Sequence, residues 1–141
     1  AQINIDVNVV PMESTTIADM TSLPEEENEV QIWYVNWSSG SYEADGSMRN
    51  ILHGDKYPPS GYNTAFWNNA EFNKLLDDAL LATDEATIAD LYAQAQAIAW
   101  EECPWIFLAN DNSIMAQRSY VKGLTYKPGG DVVLTTAELE Q

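Results

Sequence analysis

Residues 82–104, ATDEATIADLYAQAQAIAWEECP, carry the clearest structural signal in the chain. Apolar or small side chains recur at the spacing that places them on one face of a helix: Ile88, Leu91, Tyr92, Ala95 and Ala99. The ATDE segment supplies capping side chains, and Pro104 disfavours the helical conformation in the residue before it. The stretch therefore predicts a helix that begins at the ATDE segment and ends just before Pro104.

A second helix is predicted immediately before this one. Asn68 and Glu71 are spaced as a capping pair, and apolar residues follow at helical spacing: Phe72, Leu75, Leu76, Ala79 and Leu80. Because only a short link separates the two helices, we expect them to pack as an antiparallel hairpin. The periodicity also assigns three neighbouring tryptophans to the core: Trp67, Trp100 and Trp105.

The N-terminal part predicts strands on either side of a short helix. Residues 2–10, QINIDVNVV, alternate apolar and polar side chains, as a strand with one face in the core does. Residues 14–23, STTIADMTSL, predict a helix that Pro24 stops. Residues 30–37, VQIWYVNW, are apolar on both faces, which favours a strand covered on both sides. Together these segments predict a βαβ-like unit in an α/β fold.

Beyond the helical hairpin the sequence predicts short strands. Residues 105–109, WIFLA, are typical of a buried strand. Shorter strand-like pieces are expected around Lys122–Gly123 and Pro128–Gly130. The whole chain is therefore predicted to be one α/β unit followed by returning C-terminal strands.

Composition and charge limit the classes of partner. The 141 residues carry 22 acidic side chains against 6 Lys and Arg, a formal net charge of −16. Such a surface repels nucleic acid and anionic lipid headgroups, so we expect no nucleic-acid partner. The apolar runs are far shorter than the roughly 20 residues that span a bilayer. No basic, apolar leader opens the chain, so any export signal is expected to have been removed or left out.

One long loop contains the candidate binding residues. Residues 38–64 lack clear periodicity and are rich in Gly and Pro, and such loops are usually functional or disordered. GSMRNILHG, residues 46–54, predicts a short helix within it. Just before that helix, VNWSSGSYEADGS at residues 35–47 places an aromatic residue and two acids at the end of a predicted strand: Trp37, Glu43 and Asp45.

Four segments in order resemble one family. NWSSGSYEADGS (36–47), GYNTAFWNNAEFNKLLDDAL (61–80), ATDEATIADLYAQAQAIAWEECPWIFLA (82–109) and VKGLTYKPGG (121–130) are similar to the C-terminal part of extracytoplasmic solute-binding proteins. The class is the dipeptide, oligopeptide, glutathione and nickel group that feeds ABC importers (family 5). The likeness covers roughly residues 30–135 and is nearest to the glutathione-binding members.

The resemblance implies a fold and a place within a larger protein. Family members are bilobed, close over a ligand and deliver it to a membrane permease without chemistry. By that layout, residues 1–105 are the latter part of the C-terminal lobe, and residues 106–141 return to the N-terminal lobe. The chain is thus expected to be a periplasmic-binding-protein-like fragment. Because the opposing wall of the cleft is absent, the missing N-terminal lobe, a dimer or strand exchange would cover the exposed surfaces.

The resemblance also implies which acid binds the ligand. In dipeptide and oligopeptide binders an acid after the Trp-ending strand receives the ligand α-ammonium, and Asp45 occupies the matching position. A carboxylate in a poorly hydrated cleft makes a strong charge-assisted bond to an ammonium. The family usually has Asp-Pro-Asp where this chain has Glu-Ala-Asp, so Glu43 is the neighbouring candidate. Alternatively, Asp45 shapes a turn before Gly46.

Five further side chains are candidate ligand contacts. Trp37 could form a flat apolar wall, or it could belong to the core. Hydroxyls and an amide could orient a peptide-like ligand by hydrogen bonds: Ser38, Ser39, Asn63 and Thr64. Ordinary loop solvation and turn formation are the alternatives for these four residues.

The sequence gives little support for an enzyme, a cofactor or a metal site. His53 and Cys103 could form a nucleophilic pair only if the fold joined them, and Cys103 is expected to be a buried thiol at a helix end. His53 with Asp55 is the one suggestion of a metal ligand pair, and no further cluster accompanies it. The leading prediction is therefore non-covalent binding of a small peptide or glutathione-like ligand. The alternative is an acidic α/β module whose loop 38–64 docks a protein partner.

Overall fold

The computed structural model describes residues 4–112, 114–127 and 131–140. These residues form a small α/β fold of four α-helices, one short 3-10 turn and two small antiparallel sheets. The helices are α1 (Ser14–Thr21), α2 (Ala44–Leu52), α3 (Ala70–Leu81) and α4 (Glu85–Glu102), and the 3-10 turn is Glu25–Glu27. The strands are β1 (Val121–Lys122), β2 (Thr125–Tyr126), β3 (Val132–Val133) and β4 (Glu138–Leu139).

The helical hairpin is confirmed, with one change in its capping. The side-chain oxygen of Asn69, not of Asn68, accepts hydrogen bonds from the Glu71 and Phe72 N–H groups at 2.9 and 3.0 Å. Asp84 caps α4 by accepting from the Thr87 N–H at 2.9 Å. These bonds satisfy N–H groups that a helix start leaves unpaired, so both starts are encoded locally.

The end of α4 and the core also follow the predicted pattern. Cys103 ends α4 in the left-handed conformation at φ 48°, directly before Pro104. The three helices α2, α3 and α4 bury a common apolar core: Ile51, Leu52, Phe72, Leu76, Ala95 and Ala99. Trp67 and Trp105, both predicted to be core residues, pack against this core and are partly buried.

Two predicted core positions are wrong. Leu80 is 60% exposed, because it lies on the side of α3 that turns away from α4 and α2. Trp100 is 69% exposed and stacks on Phe107 instead, with ring centroids 6.0 Å apart. The fully buried residues of α4 are Ala95 and Ala99. The helical spacing therefore predicted which side of α4 faces the core, but it did not predict how few residues on that side are fully buried.

Three predicted strands are absent from the described residues. Residues 4–10, 30–37 and 105–109 contain no strand in that part of the chain, so the βαβ-like unit is reduced to α1 and its extended flanks. A strand persists only where a second strand pairs its backbone N–H and C=O groups. Residues 4–10 and 106–109 are exposed, against the buried positions expected for them. Residues 33, 35 and 37 are half-buried between exposed neighbours, so this segment covers one face rather than two.

The C-terminal strands form two paired sheets. Strand β1 pairs with β4 and β2 pairs with β3, both antiparallel. The strand expected around Lys122–Gly123 corresponds to β1, whereas the piece expected at Pro128–Gly130 lies outside the described residues. Gly123 has φ 67°, and a Cβ there would lie 1.9 Å from the Thr136 carbonyl oxygen, so glycine is required.

No described helix is both long and apolar enough to cross a membrane.

Candidate functional site

The loop before α2 is held by hydrogen bonds between residues that are close in the sequence. Ser39 is buried, its hydroxyl lies 2.9 Å from that of Ser41, and its carbonyl accepts from the Tyr42 N–H at 3.2 Å. A Cβ on Gly46 would lie 2.4 Å from the Ser39 hydroxyl oxygen. The glycine therefore allows the loop to pack directly on the first turn of α2. This contact fixes where the acidic residues of the loop lie.

Asp45 lies in the first turn of α2 and not in the loop before it. The helix begins at Ala44, two residues earlier than the predicted start at Gly46. A negative side chain in a first helical turn is favourable because the unpaired N–H groups there carry partial positive charge. The Asp45 side chain is 22% exposed, so its carboxylate is neither in open water nor fully enclosed.

The Asp45 carboxylate is bound by Arg49, four residues later on α2. The Arg49 Nε lies 2.9 and 3.1 Å from the two carboxylate oxygens, and the Tyr92 hydroxyl lies 3.4 Å from one of them. The pKa of the Tyr92 hydroxyl lies above its ordinary value. Burial is the largest cause, and the nearby Asp45 carboxylate adds to it. The Asp45 carboxylate therefore accepts hydrogen bonds from a guanidinium on its own helix and from a hydroxyl on α4.

Arg49 also binds Asp77 of α3. Its Nη1 lies 2.7 Å from the Asp77 Oδ1, and its side chain is only 13% exposed. Burial alone would lower the pKa of Arg49, but the hydrogen bonds to Asp77 and Asp45 outweigh it and hold the pKa above its ordinary value. The bond from Arg49 is the main reason that the pKa of the Asp77 carboxyl lies below its ordinary value. One guanidinium thus joins two carboxylates on two helices.

His53 extends this cluster at the end of α2. The imidazole is 7% exposed, its Nδ1 lies 2.6 Å from the Asp55 carboxylate, and its Nε2 lies 3.5 Å from the Asp77 Oδ1. The Nε2 atom is buried and accepts or donates no hydrogen bond among the described residues. His53 therefore faces carboxylates from its own loop and from α3.

Trp37 lines a concavity of about 210 Å³. Its ring lies 5.4 Å from that of Tyr62, at an angle of 47°. The indole N–H of Trp37 is buried without a hydrogen-bond partner in the described part of the chain. The walls are mostly aromatic and aliphatic, and they include one other candidate residue, Thr64. The concavity could hold an apolar group of a ligand.

Asn63 is fully buried. Its side-chain NH₂ donates to the carbonyl oxygens of His53 and Trp67 at 3.1 and 2.7 Å, and its backbone N–H donates to Lys56 at 2.8 Å. The side-chain oxygen is buried without a partner in this part of the structure. Asn63 therefore ties together three points of the loop between α2 and α3.

The candidate residues fall into separate groups. Ser39, Glu43 and Asp45 lie at the start of α2, where the exposed Glu43 precedes the helix. Trp37 and Thr64 line the concavity, and Asp45 is not among the residues that line it. Ser38 is exposed next to Ser39.

Several residues of the site were not predicted from the sequence. Arg49 could have been found, because a basic residue four positions after an acid on a helix is a favourable pair. Asp77, Tyr92 and Tyr62 reach the site only through tertiary packing, so no local pattern indicates them. Tyr62 directly precedes the candidate residues Asn63 and Thr64 in the sequence.

Cys103 differs from its prediction. Cys103 is exposed, against the buried thiol expected, and its Sγ lies 3.1 Å from the Trp105 carbonyl oxygen. It is exposed because it lies at the C-cap of α4, beyond the buried positions Ala95 and Ala99. No group of three or more His, Cys, Asp or Glu side chains suited to a metal is found within residues 4–112, 114–127 and 131–140.

Comparison with known proteins gives one consistent set of relatives. The chain is 32% identical, over 129 residues, to "Glutathione-binding protein GsiB" of Pectobacterium atrosepticum. It is 30% identical over 141 residues to proteins of the same name from Shigella dysenteriae and Escherichia coli. These alignments cover 91% and 99% of this chain. No family model matches the chain.

The chain spans only about a quarter of these relatives, 25% and 28% of their lengths. The likeness to family 5 solute-binding proteins, nearest to the glutathione-binding members, is confirmed by these relatives.

Proposed function

We propose that this chain, a relative of glutathione-binding solute-binding proteins over nearly its whole length, is part of the substrate-binding component of an ABC importer. In this proposal it binds a small peptide or glutathione-like ligand non-covalently outside the cytoplasm and presents it to a membrane permease. Residues 1–105 form the latter part of the C-terminal lobe, and residues 106–141 return to the N-terminal lobe. The observation that carries the proposal is the 30–32% identity to glutathione-binding proteins across 91–99% of the chain.

Asp45 receives the ligand ammonium in this proposal. A carboxylate can accept about four hydrogen bonds, and Arg49 and Tyr92 occupy only part of that capacity. The side chain remains 22% exposed, so one edge is open to a ligand. When the second lobe excludes water, the bond between carboxylate and ammonium strengthens. Ligands without an amine are rejected because their binding leaves the acid poorly paired.

Trp37 and Thr64 receive the rest of the ligand. The concavity beside Trp37 supplies an apolar wall for the ligand. Ser38, Ser39 and Glu43 lie on the loop that approaches α2, where hydroxyl and backbone groups can orient the ligand. Asn63 contributes indirectly, because its buried side-chain amide holds the loop that carries Thr64 by two hydrogen bonds. Binding of this kind requires neither a nucleophile nor a cofactor, and the component is not an enzyme.

Calorimetry on the two-lobed polypeptide that contains this chain tests the proposal. Glutathione or a dipeptide titrated into the wild-type protein is expected to give a saturable heat, and Asp45→Asn is expected to weaken the binding by more than about tenfold. Glu43→Gln is the matched control, because Glu43 is the neighbouring acid and is expected to leave most of the heat. The isolated 141 residues are expected to bind weakly or not at all, since half of the contacts are missing.

The result that would overturn the proposal is an absence of heat with every peptide. If loop 38–64 were instead found buried against a protein chain, the acidic interaction module would account for the sequence. Loss of heat in Glu43→Gln and not in Asp45→Asn would keep the function and move the ammonium site to Glu43.

A further inference from the structure

Two carboxylates on different helices share one guanidinium in this structure. Arg49 Nε binds both oxygens of Asp45, and its Nη1 binds Asp77 at 2.7 Å. The Arg49 side chain is 13% exposed and its Nη2 is buried without a partner in the described part of the chain. Arg49 is therefore held in one orientation by α2 and α3 together and cannot rotate away from either acid without losing a bond.

The charges of this cluster do not cancel. Asp45 and Asp77 carry two negative charges and Arg49 carries one positive charge, so the sum over these three side chains is one negative charge. The neighbouring Asp55 lies within 3.5 Å of Lys56, so that pair adds no net charge. The Arg49 and Asp45 side chains are 13% and 22% exposed, and charges in such partly buried sites are screened less than on the surface. A cation beside the Asp45 carboxylate is therefore favoured.

His53 lies on the Asp77 side of this cluster. Its imidazole is more than nine-tenths buried, and its unpartnered Nε2 faces Asp77 at 3.5 Å. The Asp77 oxygen nearest to it is already bonded to Arg49. The Asp77 Oδ1 is thus engaged by protein groups, although the Asp77 side chain is 58% exposed and the Asp45 side chain 22%. In the proposed function the ligand amine contacts Asp45.

We propose that Arg49 and Asp77 are positioning residues for the ligand amine. This inference rests on the proposed function and adds a specificity device to it. Arg49 fixes the direction of the Asp45 carboxylate. Asp77, which does not touch the ligand, is the second carboxylate bound to Arg49. Because Arg49 is shared between two carboxylates, the three side chains keep a net charge of −1. The α-ammonium of a peptide-like ligand supplies the balancing positive charge, and the same cluster disfavours ligands without an amine.

The test compares two ligands on the two-lobed polypeptide that contains this chain. Glutathione and the analogue lacking its α-amino group are titrated into wild type, Asp77→Asn, Asp77→Glu and Asp78→Asn. Asp78 is the matched control, since it lies on the same helix and forms an ion pair with Lys74. We expect Asp77→Asn to reduce the preference for glutathione over the analogue about tenfold, a coupling typical of charges within one network. We expect Asp77→Glu to restore most of it and Asp78→Asn to leave it unchanged.

The outcomes separate this inference from the function on which it rests. A loss of affinity for both ligands by the same factor in Asp77→Asn would mean that Asp77 only supports the fold, and the inference would be overturned. An unchanged preference in Asp77→Asn would overturn it as well, while leaving the transport function intact. Failure of wild type to bind either ligand would overturn both.

Discussion

The Tyr42 hydroxyl donates a hydrogen bond to the Asp131 carboxylate at 2.6 Å, joining residues 89 positions apart in the sequence. Tyr42 has φ 58°, a conformation that costs a non-glycine residue roughly 1–2 kcal/mol. The bond connects the loop before α2 to the C-terminal strands. In the proposed bilobed protein it would connect the binding loop of one lobe to the segment that returns to the other.

The first prediction concerns the titration of Tyr42. The hydrogen bond to Asp131 raises the pKa of the Tyr42 hydroxyl above its ordinary value of 10.0. The raised folded-state pKa means that the bond stabilises the protein below pH 10.0 and is lost as the pH rises through the higher value. We expect Tyr42→Phe to remove one late step from the ultraviolet titration of the tyrosines. Asp131→Asn should move that step toward pH 10.0, and an unchanged curve in both variants would contradict the contact.

The second prediction concerns the core between the helices. Phe72 is fully buried, and Phe72→Ala is expected to lower the free energy of unfolding by about 3–5 kcal/mol. Leu81→Ala on the same helix is the matched control, because Leu81 is 81% exposed and should change stability by less than about 0.5 kcal/mol. Urea denaturation of the 141-residue chain measures both. Equal losses in the two variants would show that α3 packs through a different face.

How far the fold could be predicted depends on the range of the interactions. Helices α3 and α4 were predictable because spacing and caps such as Asp84 act within a few residues. The strands expected at residues 4–10, 30–37 and 105–109 could not be confirmed by the alternation alone, because a strand needs a partner. The described residues supply no such partner. Their exposed apolar side chains agree with a larger protein that would cover them.

The site shows the same division. Asp45 was made a candidate by the family resemblance, and Trp37 by its place at the end of an apolar segment. Their surroundings were not predicted, since the start of α2 was predicted two residues late and Arg49 was therefore overlooked. Asp77 reaches Arg49 only because α3 packs against α2, and a single sequence carries no local sign of that contact.

The third prediction concerns acid unfolding. The hydrogen bonds from the Thr87 hydroxyl and N–H lower the pKa of Asp84 below its ordinary value of 3.8. Because the folded-state pKa is lowered, the cap stabilises α4 above pH 3.8 and is lost as the pH falls through the lower folded-state value. We expect Asp84→Ser, which keeps a cap without the charge, to flatten the dependence of unfolding free energy on pH below about 4. Thr87→Val should give an intermediate slope, and a slope equal to that of wild type in Asp84→Ser would contradict this assignment.

The fourth prediction concerns the buried amide of Asn63. Asn63→Ala leaves the carbonyl oxygens of His53 and Trp67 without their side-chain donor, so we expect a loss of about 1–3 kcal/mol in unfolding free energy. Asn110→Ala is the control, because Asn110 is exposed. Thermal or urea unfolding of the chain measures the difference. A stability equal to wild type, combined with a loss of ligand affinity in the two-lobed protein, would instead make Asn63 a direct ligand contact.

The most direct test of the central claim compares Asp45 with its uncharged equivalent. Glutathione and the analogue without its α-amino group are titrated calorimetrically into wild-type and Asp45→Asn forms of the two-lobed protein. A charge-assisted hydrogen bond is worth about 1.5–3 kcal/mol, so the wild type should prefer glutathione by more than about tenfold and the variant should lose that preference. An equal preference for glutathione in both forms would show that the carboxylate of residue 45 does not receive the ammonium.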